Sequence, residues 1–125
     1  MAAAEALAQA ARVVAAVLAG RSLAAALPAA TATLGEPRLA GAVQDLSFGT
    51  LRHLARLQAH LKALAPRPVK DGLLRALILV GLAELRSGRA PHHAVVHQTV
   101  EAARSLGKPW AAGFVNGVLR RYLRQ

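Results

Sequence analysis

Two rows of basic side chains are the features of this sequence best suited to bind a charged ligand. The rows consist of Arg52, Arg56 and His60, and of Asn116, Arg120 and Arg124 with Arg121 beside them. Positions four residues apart share one face of an α-helix, and guanidinium groups bind phosphate oxygens through paired hydrogen bonds. The spacing therefore predicts contacts to the phosphate backbone of a nucleic acid, although rows of solvated arginines fit the same pattern. The predicted RNA-binding residues are Arg52, Arg56, Arg120, Arg121 and Arg124.

A third row, His93, His97 and Glu101, has the spacing of a metal site. Ala94 stands where the H-E-x-x-H pattern of metalloproteases requires a glutamate. Arg104 extends the row with a cation, which disfavours a divalent ion. We therefore interpret the row as a solvated polar face and predict no metal site.

Residues for catalysis or cofactor binding are not recognisable in this sequence. It contains no Cys, which excludes a thiol nucleophile, a thiolate zinc site and a disulfide framework. The G-x-S-x-G, G-x-G-x-x-G and G-x-x-x-x-G-K-[ST] patterns are also absent. We predict that the chain by itself is not an enzyme and binds no cofactor.

Positive charge is concentrated in the later part of the 125-residue chain, which has 16 Lys plus Arg, 6 Asp plus Glu and a formal net charge of +10. Residues 1–49 carry three basic and three acidic side chains, whereas residues 50–125 carry thirteen basic and three acidic ones. This asymmetry indicates a polyanionic partner. Nucleic acid is favoured over a membrane, because no helical segment is strongly basic on one face and strongly apolar on the other. The apolar residues that follow the predicted helix corners argue against a DNA-reading helix-turn-helix.

The sequence shows no segment that would carry the chain into or across a membrane. Its longest stretch without a charged residue runs only from Ser22 to Gly35 and is interrupted by Pro28, whereas a bilayer span needs about 20 apolar residues. The first charged residue is Glu5, not the basic residue of a signal peptide. We expect a cytoplasmic location.

The whole chain is predicted to be one all-α domain of about six or seven helices, because it is rich in Ala and Leu and shows no strand alternation. An amphipathic helix over 4–19 should end at Gly20. Residues 71–87 are apolar nearly all round, which is typical of a central buried helix. Between 37 and 64 the apolar spacing skips near Gly49, which predicts a bend or two helices. The last two helices should begin at Pro91 and Pro109.

Two smaller segments allow finer expectations. Ser22 can cap a short helix over 23–27 that Pro28 closes, followed by a loop over 29–35. In the last helix, Phe114 and Tyr122 share the apolar face and should pack into the core. Gly113 and Gly117 suggest the close approach of another helix backbone.

Several short segments resemble the NusB family. The most specific is F-V-N-G-V-L-R-R at 114–121, because it closes an all-helical domain of this size. Weaker matches lie at 48–52, 67–68, 79–85, 91–96 and 99–101. Within the family, the sequence resembles, over essentially its whole length, the NusB-like N-terminal domain of ribosomal RNA cytosine-5 methyltransferases of the RsmB type.

The resemblance implies a NusB-like helical bundle in two packed subdomains and an RNA-related role. In such methyltransferases a downstream catalytic domain holds S-adenosylmethionine and cysteine nucleophiles, and this chain contains no Cys. The resemblance therefore implies that residues 1–125 are a single RNA-binding and positioning domain, which forms the N-terminal part of a longer methyltransferase. The expected partners are RNA, in particular ribosomal RNA, and the enzyme's own catalytic domain.

Two alternatives remain open at this point. The first is a free-standing NusB-like antitermination factor, but in those factors an arginine-rich first helix helps to bind RNA, and here that helix offers only Arg12. The second is a structural docking domain that packs on its catalytic domain without touching RNA.

Overall fold

Seven α-helices account for most of the protein, whose computed structural model describes residues 2–125. They are α1 (Ala2–Leu18), α2 (Leu23–Thr31), α3 (Pro37–Arg52), α4 (Leu54–Leu64), α5 (Gly72–Ser87), α6 (His92–Ser105) and α7 (Ala112–Leu123). A 3-10 helical turn at Pro109–Ala111 precedes α7. No strand occurs within this part of the chain. The prediction of an all-α domain with about six or seven helices is confirmed.

Helix α5 lies at the centre of the molecule and contacts α1, α3, α4, α6 and α7. Its middle is completely enclosed, including Leu77, Ile78, Leu79 and Val80. The helix ends at Gly88, which adopts the left-handed conformation at φ 70° and donates its N–H to the Leu85 carbonyl. The predicted buried helix and its glycine stop are both confirmed.

The other helices form two groups that share α5. On one side α1 packs against α2 and α3, and on the other α6 and α4 each pack against α7, while α1 and α6 join the two groups directly. Buried apolar side chains from both groups join in one continuous cluster. The two helical groups expected from the family resemblance are therefore halves of a single core.

The end of α1 is built as its sequence predicts. Gly20 has φ 107° and donates its N–H to the Val17 carbonyl, while the next N–H, from Arg21, reaches the Ala16 carbonyl. These two bonds satisfy carbonyls that would otherwise be unpaired at the helix end.

Helix α2 begins as predicted but runs further than predicted. Ser22 caps it, accepting the Ala25 N–H at 3.2 Å. The prediction that Pro28 closes the helix is wrong, since α2 passes through Pro28 and the loop starts only after Thr31. A proline inside a helix removes one hydrogen bond, but its carbonyl still accepts, here from the Ala32 N–H at 2.9 Å.

Residues 37–64 form two helices, as the skip in apolar spacing allowed. The break falls at His53, whose backbone leaves the helical region at φ −114° and ψ 23°, and not at Gly49, which lies inside α3. The two helices therefore bury separate faces, with Val43 and Leu46 on α3 and Leu57 and Leu61 on α4.

Gly81 of α5 is where α6 and α7 come close to the central helix. A Cβ atom built there would lie 3.0 Å from Cγ2 and 3.2 Å from Oγ1 of Thr99, and 3.4 Å from Cδ2 of Leu119. Thr99 is fully buried, and its hydroxyl donates to the Val95 carbonyl at 2.7 Å. The missing side chain at Gly81 therefore sets how closely these helices pack.

Gly113 and Gly117 do not mark a close helix approach, so that prediction is wrong. A Cβ atom at Gly113 would have no neighbour within 4 Å, and one at Gly117 would meet only the Arg121 guanidinium at 3.8 Å. Both glycines lie on a side of α7 that no other helix covers so closely.

Asp71 joins the start of α5 to the segment before α7. One carboxylate oxygen accepts the Leu74 N–H at 2.9 Å, which caps α5, and the other accepts from Lys108 Nζ at 2.6 Å. The hydrogen bond from Lys108, followed by that from Leu74, lowers the pKa of Asp71 below its usual range.

None of the helices within residues 2–125 is both long enough and apolar enough to span a bilayer.

We predict that Gly81→Ala destabilises the domain although alanine is the better helix former. The new methyl group would press on Thr99, which is buried and hydrogen-bonded, and such overpacking costs about 1–3 kcal/mol. Gly117→Ala is the matched control and should stabilise by up to about 1 kcal/mol, because its side of α7 has room. Urea denaturation of both variants measures the free energy of unfolding, and a stabilised Gly81→Ala would contradict the prediction.

Asp71→Asn should lower stability at neutral pH by about 1 kcal/mol, because the amide can still cap α5 but no longer attracts Lys108. A carboxylate with a lowered pKa stabilises the fold above its unfolded pKa of about 4, and this contribution is lost as pH falls through the folded pKa. The difference between wild type and variant should therefore shrink from about pH 5 downwards in denaturation experiments. Asp45→Asn, an exposed position on α3, controls for the change in net charge. A difference independent of pH would contradict this prediction.

Candidate nucleic-acid interface

A groove of about 360 Å³ runs between α6 and α7 and is rich in basic side chains. The polar residues and the glycine that line this groove are His93, His97, Arg104, Gly113, Asn116 and Arg120. Of the lining residues that the structure describes, none is acidic. The groove therefore suits a negatively charged ligand such as a phosphate backbone.

Arg120 is the one predicted RNA-binding residue that lines this groove. Its Nε donates to the Asn116 Oδ1 at 3.3 Å, one turn earlier on α7. This bond directs the guanidinium along the helix while leaving the side chain exposed.

The row on α6 contributes to the groove without forming a metal site. Glu101 accepts from Arg104 Nε at 3.0 Å, and it does not line the groove with the two histidines. Within residues 2–125 no three His, Cys, Asp or Glu side chains lie close enough together to hold a metal ion. His93 and His97 are both exposed.

Arg121 of α7 and Arg124, which directly follows α7, lie in different settings. Arg121 Nη1 donates to the Leu64 carbonyl at 2.6 Å, at the last residue of α4. That carbonyl belongs to a helix end, where backbone acceptors lack partners within the helix. Arg121 therefore ties α7 to α4, whereas Arg124 is exposed at the end of α7.

Arg52 and Arg56 do not share a helix, because the chain breaks at His53 between α3 and α4. Arg52 lines a cleft with Arg86 and Arg89 of the α5 end, which also contains Asp45 and Glu84. Arg56 is exposed on α4. The assumption of one continuous basic row over 52–60 is therefore wrong.

His60, the last member of that row, is partly buried. Its ring meets Tyr122 edge to face, with 5.4 Å between centroids. Tyr122 packs against the core as predicted.

Three of the four aromatic side chains lie at the surface: Trp110 is 69% exposed, Phe114 39% and Phe48 36%. The prediction that Phe114 packs into the core is wrong. Helix α7 turns Val115, Val118 and Leu119 inward. Phe114 lies about 100° from Val115 around the helix axis, on the far side of Val118 and at the edge of the buried face.

The acidic side chains of residues 50–125 all serve internal ion pairs. Asp71 pairs with Lys108, Glu84 with Arg89 and Glu101 with Arg104. This part of the chain has thirteen basic side chains and only these three carboxylates. A surplus of ten positive charges is therefore not neutralised within it.

A comparison with protein families assigns the fold. The sequence profile of the NusB family matches residues 2–124. The chain belongs to the NusB family. The resemblance inferred from the F-V-N-G-V-L-R-R segment and the all-helical pattern is thereby confirmed.

Curated relatives of this NusB domain are considerably longer proteins. Ribosomal RNA small subunit methyltransferase B of Pseudomonas putida is 46% identical over 119 residues, which cover 93% of this chain and 27% of the relative. The protein of that name from Xanthomonas campestris is 42% identical with the same coverages. That from Vibrio cholerae is 43% identical over 84% of this chain and 24% of its own length. The chain thus spans about a quarter of these relatives and matches their NusB-like N-terminal part.

Sequence reasoning missed two features of this NusB domain. Helical spacing places Arg104 on a solvated face, but in the structure Arg104 lines the groove. The sequence indicates no role for Trp110, which is the most exposed aromatic side chain. Trp110 directly follows Pro109 in a short turn between helices, which was the available signal for exposure. The groove itself depends on how α6 packs against α7, which helical spacing within one segment does not reveal.

Arg121→Gln should destabilise the domain by about 1 kcal/mol, because it weakens the charged hydrogen bond to the Leu64 carbonyl. Arg124→Gln changes an exposed arginine directly after the same helix, serves as the matched control and should be nearly neutral. Thermal and chemical denaturation measure both. Equal stability of the two variants would show that the Leu64 contact contributes nothing.

Proposed function

We propose that this NusB domain binds RNA through its basic surfaces and positions it for a ribosomal RNA methyltransferase. The observation that carries the proposal is the groove between α6 and α7, which has two arginines and no acidic lining residue within the described chain. It occurs in a domain whose relatives are named ribosomal RNA small subunit methyltransferases. We further propose ribosomal RNA as the ligand and the cytoplasm as the place of action.

Binding in this proposal is mainly electrostatic. Arg120 and Arg104 contact phosphates in the groove, Arg52 contributes from its cleft, and Arg56 and Arg124 extend the surface. Such contacts fix the orientation of the RNA and carry little sequence information. Arg121 contributes charge, but its guanidinium also holds the end of α4.

Methyl transfer is assigned to the longer enzyme and not to these residues. The family resemblance implies S-adenosylmethionine and cysteine nucleophiles for a cytosine-5 methyltransferase. The chain contains no Cys and no glycine-rich G-x-G-x-x-G segment, so the residues present do not fit that cofactor or that nucleophile. We propose the catalytic domain of the same enzyme as the second partner, to which this domain delivers RNA.

The antitermination alternative is disfavoured by the surface of α1. Its only basic residue is Arg12, and the cleft beside it also contains Glu5 and Glu101. A polyanion therefore finds less positive potential there than at the groove between α6 and α7.

Binding of a labelled fragment of small-subunit ribosomal RNA should weaken steeply as salt rises from about 50 to 200 mM, since each phosphate contact releases counterions. Arg120→Gln should reduce the affinity about threefold to tenfold at low salt and lower the slope of log Kd against log salt by about one. Fluorescence anisotropy measures both quantities.

Arg21→Gln is the control for this experiment, because Arg21 is exposed in the electrically neutral first part of the chain. It should change affinity much less than Arg120→Gln. Affinity that does not respond to salt would overturn the proposal. If the domain binds its separated catalytic domain but no RNA, the structural docking alternative replaces it.

A further inference from the structure

Trp110 and Phe114 are exposed aromatic side chains, Trp110 in the 3-10 turn before α7 and Phe114 in the first turn of α7. Burying an aromatic ring is a large source of stability, and the fold does not use Trp110 in this way. Aromatic side chains at a surface are enriched in binding sites, and the rings of Trp and Phe can stack on nucleic-acid bases.

The 3-10 turn that carries Trp110 lies at one end of the groove between α6 and α7, because this turn contacts α6 and leads directly into α7. Gly113, Asn116 and Arg120 of α7 line the groove in steps of three and four residues. These positions therefore share one side of the helix. From Gly113 to Arg120 the helix rises about 10 Å, which equals the length of about three stacked nucleotides.

Gly113 keeps the groove open between its aromatic and basic ends. A Cβ atom at this position would meet no other atom within 4 Å. The absence of a side chain therefore leaves free space where a ligand can approach the backbone.

The opposite wall belongs to α6. A short turn joins α6 to α7 and the two helices pack against each other, so they run in opposite directions. Arg104, near the end of α6, consequently lies at the end of the groove next to the turn that carries Trp110. His93 lies at the other end of the groove, as Arg120 does. Arg104 also pairs with Glu101, but both side chains are exposed, and such pairs contribute only about 0–1 kcal/mol. A phosphate can therefore compete for that guanidinium.

We propose that this groove binds a single-stranded segment of RNA, with a base stacked on Trp110 and backbone phosphates on Arg104 and Arg120. The inference rests on the proposed function and adds the site and the conformation of the RNA. Single strands are favoured because their bases can leave the stack and expose a face to an aromatic ring, which bases inside a duplex do not. The arginines flank the groove without a carboxylate among its described lining residues, which favours the dense negative charge of a polynucleotide backbone.

Trp110 is the only tryptophan of the chain, so its fluorescence reports directly on this site. Titration with an oligouridine of about ten nucleotides at low salt should quench the emission. The quenching should give the same Kd as the anisotropy of a labelled copy of that RNA. A duplex of equal length should bind more weakly and quench less.

Trp110→Ala should weaken binding of the single strand about tenfold or more, whereas Trp110→Phe keeps a stacking ring and should retain most of the affinity. Phe48→Ala, an exposed aromatic of α3, is the matched control and should leave the affinity unchanged. Gly113→Leu fills the groove without changing its charge and should reduce affinity as Trp110→Ala does. Circular dichroism verifies that each variant remains helical.

RNA binding that leaves Trp110 emission unchanged and survives both Trp110→Ala and Gly113→Leu overturns this inference, while the proposed RNA-binding function stands. Equal affinity for duplex and single strand overturns the conformational preference. The absence of any RNA binding at low salt overturns the proposed function itself, together with the inference.

Discussion

Complete burial of the middle of α5 is the constraint on which the arrangement of the other helices depends. Its central residues, from Ala76 to Leu82, present almost no polar group that could face water. Each fully buried Leu, Ile or Val side chain contributes about 1.5–3 kcal/mol, so α5 is stable only when helices cover it on every side. Five helices do so. Gly81 then fixes how closely α6 and α7 approach α5, and the groove lies on the outward side of that pair.

Structural features that depend on a single helix could be predicted from the sequence. Features that depend on how two helices pack against each other could not. Two kinds of feature depend only on the sequence of one helix. They are the apolar residues on all sides of the helix over 71–87 and the glycines that end helices at positions 20 and 88, and the structure confirms both. Pro28 shows the limit of a local rule, because a helix can tolerate the loss of one hydrogen bond when its remaining residues favour the helical state.

The basic residues illustrate the same limit at the candidate site. A spacing of four places residues on one face only while the helix continues, and the break at His53 separates Arg52 from Arg56. Arg120 and Arg121 are adjacent in sequence, but one lines the groove and the other holds the end of α4. In the amino-acid composition, Arg120 and Arg121 are two equivalent positive charges. Only the packing of α7 against α4 and α6 distinguishes them.

The division of the helices into two groups around α5 also makes the domain electrically one-sided. Residues 2–49, which form α1, α2 and most of α3, have no net formal charge, whereas the residues that follow carry the whole surplus. Unequal formal charge on the two groups of helices gives the molecule an electric dipole. In the field of a polyanion it experiences a torque before any contact forms, over distances of about one Debye length, or about 8 Å at physiological salt. The neutral half would then face away from the nucleic acid at the moment of encounter, where it is available to another protein surface.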